Sequence, residues 1–313
     1  MLYRHHAAPF GDFVKHTISD PLGQDRITLV PGCSCTLLEL TLAGQAVGNT
    51  YHTPEEMIEN SYAKNVLLFP FPNRLRDGKY DWNGKQYQFP LSAPDRPFAI
   101  HGFGRRAPFK AVRVQLRSNR ASITCRYTYD GHHDYYPFPF ILDLTFTLHP
   151  KHRLEITVQV YNHGEQVIPF GFGWHPYFTV AEKVSETVVQ LPASQMVEVD
   201  AQAMLPTGNK TAYNLFDAAR PMQDTKLDNC FHLTGDQAKN AVIHLAGPNG
   251  TLECLQETGK FPYFQVFTPP HFEAIAVEPM SCNVDAFNNH EGLWKVAPGE
   301  KVKGRFGLRF IPK

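Results

Sequence analysis

Five side chains in this 313-residue sequence sit where a reactive group needs a reason. Glu278 closes the apolar run Ile275-Ala276-Val277 and is followed by Pro279. A carboxylate at the end of a buried strand is poorly solvated, and its pKa rises toward the range of a general base. His175 stands in Phe170-Gly171-Phe172-Gly173-Trp174-His175-Pro176-Tyr177-Phe178. There the following proline favours an extended backbone and the aromatics give the imidazole a defined direction. His101 lies against Gly102 and Gly104, Arg74 stands next to Asn73 after the apolar run Val66 to Phe69, and Asp228 sits between apolar neighbours in Lys226-Leu227-Asp228-Asn229-Cys230-Phe231. Taken singly, each has a structural alternative: a histidine capping a strand end, a glutamate in an edge-strand salt bridge, a solvated turn aspartate, a hairpin arginine. Taken together, two imidazoles, two carboxylates and a guanidinium make an acid/base set.

The motifs that would point to other chemistry are missing. The chain has no GxSxG elbow, no catalytic-cysteine signature, no HExxH and no GxGxxG. That pattern favours proton transfer without a covalent intermediate, and we expect neither a metal nor a cofactor.

These groups must be held by strands. Residues alternate apolar and polar through Ser122 to Tyr129, Leu142 to Leu148, Leu154 to Val160 and Phe306 to Phe310, and Thr28 to Leu42 is apolar with a break at Pro31-Gly32. A period of two over short runs predicts antiparallel strands with one buried face. Asn83-Gly84, Asp130-Gly131 and Asn249-Gly250 are turn signals. Pro54 to Lys64 predicts one short helix, with Thr53 as N-cap and Pro54 in the first helical position. The stretch Ala181 to Leu227 has no clear period. With many strands and no crossover helices, the expectation is an all-β fold: a large antiparallel β-sandwich with few short helices, formed as one domain over residues 1–313.

Composition narrows the partners. Lysine plus arginine and aspartate plus glutamate both total 30, so no basic excess points to nucleic acid or to an anionic membrane. None of the six cysteines forms a CxxC pair, and the N-terminus lacks an apolar run long enough for a signal peptide. The expectation is a cytoplasmic protein, monomeric or homodimeric, acting on a small molecule.

Asn73-Arg74, Gly78-Lys79-Tyr80, Asn83-Gly84-Lys85-Gln86-Tyr87, His101-Gly102, Trp174-His175-Pro176-Tyr177-Phe178, Leu227-Asp228, Gln265-Val266-Phe267-Thr268, Glu278-Pro279, Asp285-Ala286-Phe287-Asn288 and Pro298-Gly299-Glu300 occur in an order that resembles the aldose 1-epimerase (galactose mutarotase-like) family across most of the chain. The resemblance implies an antiparallel β supersandwich with an open sugar cleft, and the interconversion of α and β anomers of a hexose. It implies Glu278 as the base that takes the C1 hydroxyl proton and His175 as the acid that protonates the ring oxygen. His101 would assist on the ring-oxygen side, and Arg74, Asp228, Asn73 and Trp174 would bind the sugar. The chain departs from the family pattern after His101-Gly102, where Phe103-Gly104-Arg105-Arg106 replaces a run toward tryptophan, and around Glu278, where Pro279 and Val284 replace the usual residues. Arg105 and Arg106 suit either a solvated turn or the oxygens of a phosphorylated or acidic hexose. A sugar-binding protein without catalysis would use the same cleft.

Overall fold

A computed structural model describes residues 2–236 and 239–313. Strands dominate, and the two α-helices among the described residues, Pro54–Glu59 and Ala286–Asn289, are short. The alternating segments become the middle of a nine-stranded antiparallel sheet: Ala121–Tyr129, Phe140–His149, Arg153–Asn162 and Lys301–Pro312 are consecutive neighbours in it. Leu142, Leu144, Phe146 and Leu148 are fully buried, as are Leu154, Ile156, Val158 and Val160. Residues between them stay partly exposed, which is what a strand covered on one face requires.

The second large sheet has eight strands. Its path runs Pro206–Ala212, Ser194–Val199, Asp228–Leu233, Tyr263–Phe267, Ile275–Met280, Gly173–Trp174 and Leu67–Leu68, with Tyr177–Phe178 also paired to Ile275–Met280. Aromatic rings join the two sheets. Trp174 stacks on Phe306 of the nine-stranded sheet with centroids 5.7 Å apart, and Phe172 lies 6.3 Å from the same ring. Burying rings of this size contributes about 1.5–3 kcal/mol each. A five-stranded sheet, Arg4–Phe10 through Gln45–Ala46, completes the N-terminal part. This arrangement is the expected all-β, antiparallel sandwich.

Two sequence expectations are adjusted by the backbone. The Pro54 helix begins as foreseen, with the Thr53 hydroxyl accepting from the Glu56 N–H, but it ends at Glu59. Asn60 at φ 61° and Tyr62 at φ 61° turn left-handed, so the remainder is a loose 3-10 turn instead of helix. The stretch Ala181 to Leu227 contains strands Val188–Gln190, Ser194–Val199 and Pro206–Ala212. Pro206–Ala212 is a largely exposed edge strand, so no buried face imprints a period on its sequence.

Candidate active site

Strand register brings the reactive groups together. Gly173 pairs with Met280 and Tyr177 pairs with Ala276, so His175 falls opposite Glu278. Gln265 pairs with Glu278 on the other side of the same strand, and Asp228 pairs with Phe267. Paired residues in an antiparallel ladder point to one face, and so do residues two apart along a strand. Asp228, Gln265, Glu278 and His175 therefore line one face across four neighbouring segments. Trp174, one residue from His175, must point the other way, and it does: it is 2% exposed, packs between the sheets on Phe306 and Phe178, and is not among the residues lining the cleft. The expectation that Trp174 binds sugar gives way to a core role. Tyr177 instead braces the imidazole, stacked on His175 at 4.9 Å with its hydroxyl donating to the Tyr62 carbonyl.

His101 enters from a separate segment by close backbone approach. A side chain at Gly102 would collide with the Phe69 carbonyl, and one at Gly104 would strike the Phe69 ring and the Leu67 carbonyl. The two glycines let this loop lie directly on the strand that pairs with Gly173–Trp174. His101 itself is held at φ 66°, a conformation uncommon for a residue with a side chain. Its N–H donates to the Asn73 carbonyl at 3.0 Å and its Nδ1 lies 2.7 Å from the Pro72 carbonyl. A carbonyl only accepts, so Nδ1 carries the proton and Nε2 is left as an acceptor. The two imidazoles meet edge to face at 5.5 Å.

His175 Nε2 lies 3.4 Å from Glu278 Oε1, and both side chains are buried. His175 Nδ1 and Glu278 Oε2 are buried atoms without a hydrogen-bond partner, as is Arg74 Nε. Unsatisfied buried polar atoms are costly, and three gathered in one cleft indicate groups held ready for a ligand. Burial raises the Glu278 carboxyl well above the ordinary glutamate range, Asp228 adds to the rise and Arg74 opposes it. Burial lowers the His175 imidazole to about 3, with Arg105 adding to the fall. Burial, and then His175, lowers His101 well below the ordinary histidine value, against the Pro72 carbonyl. Burial therefore disfavours the charged form of all three, and a proton can pass between Glu278 and His175 across 3.4 Å.

Beside this pair, four side chains close a ring of hydrogen bonds. Asn73 Nδ2 donates to Gln265 Oε1 at 3.3 Å, and Gln265 Nε2 donates to Asp228 Oδ1 at 2.6 Å. Arg74 Nη2 reaches Asp228 Oδ2 at 3.3 Å, while its backbone N–H donates to Asn73 Oδ1 at 2.8 Å. Each group in the ring is oriented by its neighbours, which is how fixed donors and acceptors for hydroxyls are made. Sequence reasoning quoted Gln265 within a motif but assigned it no role. Its signal was a polar residue in the middle of an otherwise apolar strand, Tyr263–Phe267. The cleft holds about 280 Å³ and is lined by all these residues together with Tyr177, Phe267, Arg96 and Arg105. That volume lies just below the range of drug-sized pockets, which suits a single sugar ring. Arg106 is exposed, lies outside the lining and donates to the Ile58 carbonyl. Among the described residues no cluster of three or more His, Cys, Asp or Glu side chains has the arrangement of a metal site, and no helix is long and apolar enough to cross a membrane.

Comparison with known proteins agrees with this architecture. A family profile described as aldose 1-epimerase matches residues 35–309. The uncharacterized protein YihR of Escherichia coli K12 is 29% identical over 298 residues, covering 93% of this chain and 92% of that protein. In fold, the chain is similar to a galactose mutarotase-like protein of Clostridium acetobutylicum, with a TM-score of 0.87 at 17% identity over 99% of both chains. It is also similar to galactose 1-epimerase from Lactobacillus acidophilus, with a TM-score of 0.84 at 17% identity over 99% of this chain and 98% of that one.

Proposed function

The chain belongs to the aldose 1-epimerase family, and from that premise we propose that it is a mutarotase, interconverting the α and β anomers of a hexose by general acid/base ring opening and closing. The observation that carries the proposal is the His175–Glu278 pair: an imidazole and a carboxyl at 3.4 Å, each with its second polar atom unpartnered, at the floor of a cleft sized for one sugar.

Moving the shared proton from Glu278 to His175 yields a carboxylate and an imidazolium. The carboxylate then removes the proton from the C1 hydroxyl, the C1–ring-oxygen bond breaks as the C1 carbonyl forms, and the imidazolium protonates the departing ring oxygen. This returns the pair to the neutral state that burial favours. Rotation about C1–C2 and the reverse transfers close the ring on the other face. The neutral pair thus matches the open-chain sugar and the charged pair matches the cyclic one. Arg74, which opposes the rise of Glu278, helps the carboxylate form. Each transfer supplies about 10²–10⁴ in rate. His101, with Nε2 an acceptor, takes a hydrogen bond from a sugar hydroxyl near the ring oxygen, and the Asn73–Gln265–Asp228–Arg74 ring binds the remaining hydroxyls. A binding protein without catalysis would have no use for a matched acid and base.

The test is anomer exchange followed by polarimetry from pure α-D-glucose and α-D-galactose, and at equilibrium by exchange NMR, with Glu278→Gln and His175→Asn beside the wild type. Acceleration that disappears in both folded variants is the expected result. Sugar binding with no acceleration of exchange would refute the reading in favour of a binding protein.

A further inference from the structure

We infer that Asn65 positions His175 for proton delivery: its backbone clamps the histidine's peptide groups, and its side-chain amide, by way of Asn49, holds the ring on which the imidazole stacks. The inference rests on the mutarotase reading for what His175 does, and on hydrogen-bond geometry for the rest.

His175 needs an outside holder. A catalytic imidazole is usually oriented by a hydrogen bond at the nitrogen that does not react. Here Nε2 faces Glu278, and the other ring nitrogen, Nδ1, has no hydrogen-bond partner. Pro176 follows, so the next residue offers no N–H either. The ring is therefore aimed by the backbone beneath it and by the Tyr177 ring beside it.

Asn65 reaches both. Its N–H donates to the His175 carbonyl at 2.8 Å, and the His175 N–H donates to the Val66 carbonyl at 3.0 Å. Both peptide groups of the histidine are thus held by two consecutive residues, which extends the ladder of Gly173 with Leu68 and Trp174 with Leu67. The Asn65 side chain works from the other side. Its Nδ2 donates to the Asn49 carbonyl at 2.8 Å, and the Asn49 N–H donates to the Tyr177 carbonyl at 2.8 Å. The Tyr177 hydroxyl donates to the Tyr62 carbonyl at 3.0 Å. Tyr177 is pinned at its carbonyl and at its hydroxyl, and both ties return to the segment that carries Asn65.

The residue type fits the task. Asn65 is 1% exposed and sits at φ 57°, in a segment where Asn60, Tyr62 and Ala63 are left-handed as well. Such backbone is costly for residues with side chains; it persists where the surroundings enforce it, and it clusters at functional sites. Tyr62 and Ala63 line the cleft. Asparagine tolerates this conformation better than most side chains, and it brings an amide donor for the Asn49 carbonyl. Glycine would satisfy the backbone and leave that carbonyl without this donor. Aspartate would satisfy the backbone and set a second acceptor against it. Alanine would do neither.

The experiment compares wild type with Asn65→Gly, Asn65→Asp and Asn65→Ala, each well below its own melting temperature. Exchange NMR gives kcat and KM for glucose and galactose, and the ¹⁵N resonances of the His175 imidazole report its environment. The ring of Asn73, Gln265, Asp228 and Arg74 is untouched, so KM should stay within about twofold. kcat should fall roughly ten- to a hundredfold in Asn65→Gly and Asn65→Asp, the size of a small misplacement of a catalytic group, and the His175 resonances should shift. Asn65→Ala should add a lower melting temperature from its strained backbone. Wild-type kcat and His175 resonances in Asn65→Gly overturn the inference, as does a lowered melt with both unchanged, or a raised KM at constant kcat. Should the Asn65 variants not fold, Tyr177→Phe cuts the same loop of contacts at its far end and is judged by the same kcat and NMR criteria. No exchange by the wild type refutes the mutarotase reading instead; the His175 resonances then decide alone, upholding the positioning role if they move in Asn65→Gly and overturning it if they do not.

Discussion

Replacing Glu278 by glutamine should separate catalysis from stability in opposite directions. Glutamine keeps the shape of a side chain that is 2% exposed and faces His175 Nε2 at 3.4 Å, so packing is preserved. It cannot accept the C1 hydroxyl proton, and the rate should fall by about 10²–10⁴, which is roughly 3–5 kcal/mol of barrier at about 1.4 kcal/mol per tenfold. Stability should move the other way. Burial holds the Glu278 carboxyl well above the range it has in the unfolded chain. A folded-state pKa raised above the unfolded value means that the native protein keeps a proton the unfolded chain releases. The contribution of Glu278 to stability is therefore fully present below the unfolded carboxyl pKa, near 4.3, and is lost as pH rises toward the folded value. Each pH unit in that window costs the wild type about 1.4 kcal/mol relative to the glutamine variant. The assay is urea denaturation of both proteins at intervals from pH 4 to pH 8, beside exchange NMR at pH 7. Their stabilities should converge near pH 4 and part above it in favour of Glu278→Gln. A variant that keeps more than a tenth of wild-type exchange would refute Glu278 as the base. Parallel stability curves, or a gap of opposite sign, would refute the buried neutral carboxyl.

Three further outcomes follow from the same geometry. Gln265→Leu removes the link between Asn73 and Asp228 and strands both partners, so KM for the preferred sugar should rise about tenfold or more while stability drops by about 1–3 kcal/mol, measured by steady-state exchange and denaturant midpoint. Gly102→Ala forces a methyl group against the Phe69 carbonyl at a φ of +60°, and should cost about 1–3 kcal/mol or more and displace His101, visible as a lowered melting temperature together with a reduced kcat. Trp174→Phe keeps a ring between the sheets but leaves a gap beside Phe306, so the melting temperature should fall while KM stays within about twofold; a large rise in KM with unchanged stability would return Trp174 to the sugar site.

Much of the frame was legible because period-two alternation is a direct imprint of one-sided burial. Leu142 to Leu148 and Leu154 to Val160 face the core at every second residue, and the sequence alone placed both strands. Where burial is absent or two-sided the imprint vanishes. Pro206–Ala212 is too exposed to show a period, and Ile275–Met280 is buried at every residue. The helix at Pro54 was announced by its cap, while its early end depended on left-handed turns at Asn60 and Tyr62 that propensity does not specify.

For the site, residue chemistry and local context in the sequence were enough to nominate Glu278, His175, His101, Arg74, Asn73 and Asp228, because a carboxyl, imidazole or guanidinium beside apolar, glycine or proline neighbours needs an explanation whatever the fold. Partnership was decided only by tertiary structure. Glu278 and His175 are about a hundred positions apart in the chain and face each other through strand register alone. The same register turns Trp174 into the core and recruits Gln265 to join Asn73 to Asp228. A side chain's chemistry is carried by its own atoms and can be read from one letter. Its burial, its hydrogen-bond partners and hence its proton affinity belong to the groups packed around it, and those are assembled only when distant strands pair.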